Sequence, residues 1–258
     1  MRKLLLPAFF ALFAAVGAHA RIVTQTVDYS QDGKTMKGYL AYDDARSGAR
    51  PGVLVIHEWW GLNEYVKGRA RQLAEMGYVA FAADMFGGGK ATTDPKEAEA
   101  LYNAVEGTPG LTAARAKAGL DVLRKQKGVD PNRVAAIGFC FGGTSVLRLA
   151  YSGEPLKAAV TFHGGLVAPK PDEAAHIRTP ILVLHGAEDS FVTPETITQM
   201  TKAFDAAKVD WYMVTYARAV HAFTNPDADK FHIPGIGYNE KAATRSWDEM
   251  KRFFGSNL

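Results

Sequence analysis

Short runs of Val, Ile, Leu and Ala alternate along this chain with longer stretches in which apolar residues recur every three to four positions. The runs at 53–56, 79–83, 134–139, 158–162, 181–184 and 211–216 are close to continuously apolar, which predicts strands buried on both faces. Residues 22–29 and 37–42 alternate instead, and the Asp32-Gly33 pair between them predicts a hairpin of two antiparallel edge strands. Helical segments lie between the runs. In one, Leu111, Ala114, Ala118 and Val122 mark an apolar face that stops near Gly128, where a left-handed cap is available before the turn Asp130-Pro131-Asn132. The pattern predicts an α/β fold: a mainly parallel central sheet with helices on both faces. No Pro/Ser/Gly linker or repeat divides residues 21–258, which read as a single domain.

The first 20 residues do not belong to that pattern. MRKLLLPAFFALFAAVGAHA has two basic residues, an apolar stretch and Ala18-His19-Ala20, the form of a secretory signal cleaved after Ala20. Residues 4–16 are too short to cross about 30 Å of hydrocarbon. A secreted or periplasmic protein without stable membrane insertion is therefore expected. Losing Arg2 and Lys3 with the signal lowers the formal charge from +3 to +1, so no strong field draws the protein to nucleic acid or to an anionic surface. With 47% hydrophobic residues the chain reads as a folded globular protein, a monomer or weak homodimer.

In sheets of this kind ligands bind beyond the carboxyl ends of the strands. Four strand ends carry unusual chemistry: His57-Glu58 after the third, Gly138-Phe139-Cys140-Phe141-Gly142 after the fifth, Asp189 after the seventh and His221 after the eighth. Cys140 is the chain's single cysteine, so it forms no internal disulfide and is either inert or useful as a thiolate. Its surroundings fit the G-x-S-x-G nucleophile elbow with Cys replacing Ser. A strand that turns abruptly into a helix strains its corner residue and crowds the neighbouring backbones, which explains Gly138, Gly142 and Gly143. A thiol needs a base, and the base needs an acid to fix its tautomer. Asp189 alone would read as a turn residue and His221 alone as a structural histidine. Both follow the elbow in the chain order nucleophile, acid, histidine.

From about Tyr39 to the C-terminus the chain resembles the dienelactone hydrolase family within the α/β-hydrolase fold. The resemblance rests on Gly138–Gly143 with its central Cys140, His185-Gly186-Ala187-Glu188-Asp189 with Pro194, His221-Ala222-Phe223, and His57-Glu58-Trp59-Trp60-Gly61-Leu62-Asn63 leading to Asp84-Met85-Phe86. It implies a Cys140, His221, Asp189 triad, a place for Glu58 beside the resting thiol, and oxyanion donors at the backbone N–H of Phe141 and Trp59. Members that cleave dienelactone hold its carboxylate with two arginines. Neither matching neighbourhood here, Asp84–Lys90 or His221–Asn225, offers one, and Lys90 is only a looser point charge. An aromatic cleft of Trp59, Trp60, Phe86, Phe191 and Phe223 is expected instead, suited to a small apolar or aromatic ester, lactone or thioester.

His57, His163 and His185 stand near strand ends without metal-ligand spacing, Gly87-Gly88-Gly89 lacks the following G-K-[ST] of a phosphate loop, and the dinucleotide fingerprint is missing, so no metal or cofactor is expected. Ser145 reads as a helix residue. Three functions compete: a cysteine-nucleophile hydrolase, an acyltransferase using the same site, and a binding or redox-sensing protein in which Cys140 is oxidised.

Overall fold

The computed structural model describes residues 21–258. The expected signal segment and its cleavage after Ala20 lie outside the described residues. Eight strands form one sheet: β1 (Ile22–Gln31), β2 (Lys34–Asp43), β3 (Arg50–Ile56), β4 (Val79–Ala83), β5 (Val129–Phe139), β6 (Ala158–Phe162), β7 (Ile181–Gly186) and β8 (Trp211–Tyr216). Their order is β1-β2-β4-β3-β5-β6-β7-β8, with β1 and β2 antiparallel and every pair from β4 to β8 parallel. Among the described residues seven α-helices accompany them: α1 (Glu64–Glu75), α2 (Pro95–Glu106), α3 (Leu111–Arg124), α4 (Phe141–Tyr151), the short α5 (Pro171–Ala174), α6 (Pro194–Ala206) and α7 (Glu240–Asn257).

Strand alternation sorts the core into two layers. Leu54 and Ile56 of β3 face the side covered by α3, α4 and α6, where Leu120, Leu123, Leu147, Met200 and Phe204 are buried. Val53 and Val55 face the opposite side, closed by Val66, Ala70 and Leu73 of α1 and by Met250 and Phe254 of α7. A residue-by-residue change of face is what a parallel sheet covered on both sides requires.

Five expectations need correction. The first hairpin turns through Asp32 and Gly33, both at positive φ, but only β1 is an edge, because β2 goes on to pair with β4. The other edge is β8, which is half-exposed rather than buried on both faces. The buried face of α3 is Ala116, Gly119, Leu120 and Leu123, with Thr112 and Arg115, and not the row marked by Ala114 and Ala118. Alanine is indifferent to either side, whereas Gly119 is needed: a Cβ there would lie 2.7 Å from the Cβ of Ala83. The helix ends at Arg124 with Lys125 as its cap, so Gly128, at φ 82, instead leads into β5. Asp130-Pro131-Asn132 then falls within β5, where the register against β3 shifts. Proline donates no ladder hydrogen bond, so a bulge accommodates it.

Candidate active site

The corner between β5 and α4 is built from its glycines. Cys140 has φ 54 and ψ −117, a conformation that a residue with a side chain holds only when its surroundings force it. A Cβ on Gly138 would lie 2.0 Å from the Gly142 carbonyl oxygen, and one on Gly142 would lie 2.1 Å from that of Ile56. The elbow thus packs backbone against backbone, leaving the Cys140 side chain only partly buried at the rim of a cleft. Ser145 donates to the Phe141 carbonyl, as a helix residue does.

Asp189 and His221 leave the loops after β7 and β8 and meet at 2.8 Å, Oδ2 to Nδ1, with Asp189 only 5% exposed. The Phe191 N–H donates to the other Asp189 oxygen at 3.0 Å, fixing the carboxylate. The acceptor at Nδ1 puts the proton there and leaves Nε2 without a partner among the described hydrogen bonds, beside the cleft that Cys140 also lines. Burial pushes the His221 imidazolium down, but the Cys140 sulfur and Asp189 override it and raise the group to about 10.

Glu58 follows β3 and is only 2% exposed. Burial raises its carboxyl to about 7, against the opposing pull of the Asn225 amide, His221 and Arg69. Glu58 lines the same cleft as Cys140, and its carboxylate accepts from Asn225 Nδ2 at 2.7 Å. Asn225 was not singled out in the sequence, although it lies four residues past His221 on the same loop. Among the described hydrogen bonds the backbone N–H groups of Trp59 and Phe141 donate to no protein acceptor, and both residues line the cleft with Cys140 and His221. The Trp59 loop is braced from below. His57 Nε2 accepts from the Met85 N–H at 3.1 Å, which leaves Nδ1 to donate to the Glu58 carbonyl, and the Leu62 N–H donates to the Lys90 carbonyl.

The cleft has a volume of about 360 Å³. Of the expected aromatics it contains Trp59, Trp60 and Phe191; Trp60 also stacks on Phe231 at 3.9 Å. Phe86 and Phe223 do not line it. Phe86 is buried against Phe141 and His57, and Phe223 against His163 and Tyr216, because their strand-end backbones turn them into the core. Lys90 is also absent from the lining and contributes its backbone instead. The remaining wall went unread in the sequence: Glu99, Tyr102 and Asn103 of α2, Thr144 of α4, and Ile233 and Ile236. A tyrosine at helical spacing looks the same whether it faces a core or a cleft. The lining holds two carboxylates, Glu58 and Glu99, and no lysine or arginine.

Comparison with known proteins agrees with this geometry. The model of the dienelactone hydrolase family matches residues 36–258. A Salmonella typhimurium protein named "Putative carboxymethylenebutenolidase" is 31% identical over 234 residues, spanning 86% of this chain and 83% of its own. "Protein usf" of Aquifex pyrophilus is 30% identical over 216 residues, spanning 81% of this chain and 91% of its own. Among solved structures, a dienelactone hydrolase-like promiscuous phosphotriesterase from metagenomic libraries superposes with a TM-score of 0.90 at 41% identity, covering 93% of this chain and 99% of its own. The α/β-hydrolase sheet, the strained corner after β5 and the sequence match over residues 36–258 place the chain in the dienelactone hydrolase family.

Proposed function

We propose that the protein is a cofactor-free hydrolase of small uncharged esters, lactones or thioesters, acting through an acyl-Cys140 intermediate. The observation that carries this reading is the convergence of a left-handed cysteine and an aspartate-bound histidine on one cleft. His221 Nε2 takes the thiol proton, and the sulfur attacks the carbonyl carbon. The oxyanion develops toward the Phe141 and Trp59 N–H groups, each such donor lowering the barrier by roughly 3 kcal/mol. Collapse expels the alkoxide, which takes the proton from His221.

Deacylation follows from the same electrostatics. The largest influence raising His221 is the charge on Cys140, and acylation abolishes it. Burial then opposes the charged ring with only Asp189 left to support it, so the imidazole gives up its proton more readily and in its neutral form can deprotonate the water that releases the acid. Glu58, whose carboxyl burial raises to about 7, lies in the same cleft and feels the charge on His221.

Outside the Cys140–His221 pair the charged groups of the lining are Glu58 and Glu99, with no lysine or arginine, which favours neutral substrates over the carboxylate-bearing dienelactone. A neutral phosphotriester is a second substrate class consistent with that lining, and the relative at 41% identity is described as a phosphotriesterase. Residues 1–20 are proposed as an export signal, which N-terminal sequencing of the protein from fractionated cells tests. For the reaction, reduced protein mixed briefly with p-nitrophenyl acetate and quenched in acid should carry one acetyl group that decays in water and is missing in Cys140→Ala. Absence of both the adduct and Cys140-dependent p-nitrophenol would refute the reading.

A further inference from the structure

One buried residue outside the triad is tied to both halves of the reacting pair. His163 follows β6, is fully buried, and has φ 39. The Cys140 N–H, which also pairs with the Phe162 carbonyl at 3.0 Å, donates to His163 Nδ1 at 3.1 Å. A nitrogen that accepts carries no proton, so the neutral ring has its hydrogen on Nε2, which donates to Thr224 Oγ1 at 2.7 Å. Burial and the adjacent His221 keep the ring uncharged. Thr224 is itself held, its hydroxyl 2.6 Å from that of Tyr65 and its carbonyl accepting from Arg69 at 2.8 Å. It lies three residues past His221 and one before Asn225, the partner of Glu58. The His163 ring is 5.3 Å from that of His221.

We propose that His163 is a positioning residue: one imidazole fixes the nucleophile's backbone to the loop that carries the base, and so sets the distance from Cys140 sulfur to His221. Cys140 at φ 54 and Ala222 at φ 58 are both left-handed without being glycine, and such positions persist when the surrounding structure over-determines them. Each end of His163 bonds at or within two residues of one of them. The inference rests on the Cys140–His221 reading of the site.

The test uses the mature chain as His163→Leu, His163→Asn, Thr224→Val and the double variant His163→Leu/Thr224→Val. The readouts are kcat and KM for p-nitrophenyl acetate, the pH profile of Cys140 alkylation by iodoacetamide, and thermal melts. His163→Leu and Thr224→Val should each lower kcat by roughly tenfold or more with KM held within about twofold, and displace the alkylation profile. His163→Asn, whose Oδ1 can accept the Cys140 N–H, should recover part of the loss, and the double variant should be no slower than His163→Leu. Wild-type kcat and alkylation profile in Thr224→Val, or losses that multiply in the double variant, would overturn the proposal. Thr224→Val decides the matter if His163→Leu does not fold. Without Cys140-dependent turnover in the wild type the hydrolase reading fails, while the alkylation profiles still read the coupling of thiol to base, so the two failures are distinguishable.

Discussion

Replacing Glu58 with glutamine should make the protein's stability respond differently to pH. Glu58 is fully enclosed, and its carboxyl titrates at about 7 in the folded protein against 4.5 unperturbed. The folded state therefore keeps a proton that the unfolded chain has already lost. That contribution is fully present below about 4.5 and is lost as pH rises to 7 and beyond. At about 1.4 kcal/mol per pH unit, the loss amounts to about 3 kcal/mol. Glutamine has no such titration, and its carbonyl oxygen can still accept from Asn225 Nδ2, the bond Glu58 makes at 2.7 Å. Its amide group brings a pH-independent cost. Urea unfolding of wild type and Glu58→Gln at pH 5, 6, 7 and 8 reads this group together with its influence on His221, since groups that do not interact with it cancel in the difference. The variant should gain on the wild type by roughly 2–3 kcal/mol across that range. A difference that stays constant with pH would refute the argument that burial controls this carboxyl.

Asp189→Asn offers an amide where His221 Nδ1 needs an acceptor, so kcat should fall by roughly a thousandfold or more with KM little changed; a steady-state loss under tenfold would remove Asp189 from the site. Gly142→Ala would drive a Cβ to 2.1 Å from the Ile56 carbonyl oxygen, a clash no rotamer relieves, and should cost about 3 kcal/mol or more in urea unfolding. Phe191, 56% exposed at the cleft, and Phe86, buried behind it, should separate: Phe191→Ala raises KM with stability within about 0.5 kcal/mol, while Phe86→Leu lowers the melting temperature with KM unchanged. Glu99→Arg should raise kcat/KM for p-nitrophenyl esters bearing a terminal carboxylate by roughly three- to tenfold relative to neutral esters of equal length, and an unchanged ratio would show that the α2 wall does not sense substrate charge.

The interior strands and the elbow were legible because each is a local pattern with a local cause. A continuous apolar run has one compatible environment, and a cysteine flanked by glycines at the end of such a run has few. The edges were less legible. Trp211–Tyr216 is apolar enough to read as interior, yet it ends the sheet and is half-exposed, since its neighbours are set by chain topology. The face of α3 was displaced because Ala114 and Ala118 obey helical spacing without having to be buried, while Arg115, which is buried, donates to the Met85 carbonyl and covers the core with its stem. Phe86 and Phe223 failed for the related reason that an aromatic residue at a strand end can turn either way, and only packing decides.

The histidines show what composition and spacing leave open. His57, His163 and His221 are all buried near strand ends, and nothing in their immediate sequence ranks them as bases. Their partners do. His57 and His163 each accept a backbone N–H, from Met85 and Cys140, and pass their remaining hydrogen to an oxygen, at Glu58 and Thr224. Both ring nitrogens are then committed, and burial pushes both imidazoles down. His221 instead spends one nitrogen on a carboxylate and shares its cleft with the Cys140 sulfur, and there the balance reverses. The two neutral rings fix backbone on either side of the one that can change its charge: His57 under the Trp59 loop, His163 under the elbow. Proton transfer at His221 therefore occurs between two rings that burial holds toward the neutral form and whose nitrogens already have hydrogen-bond partners.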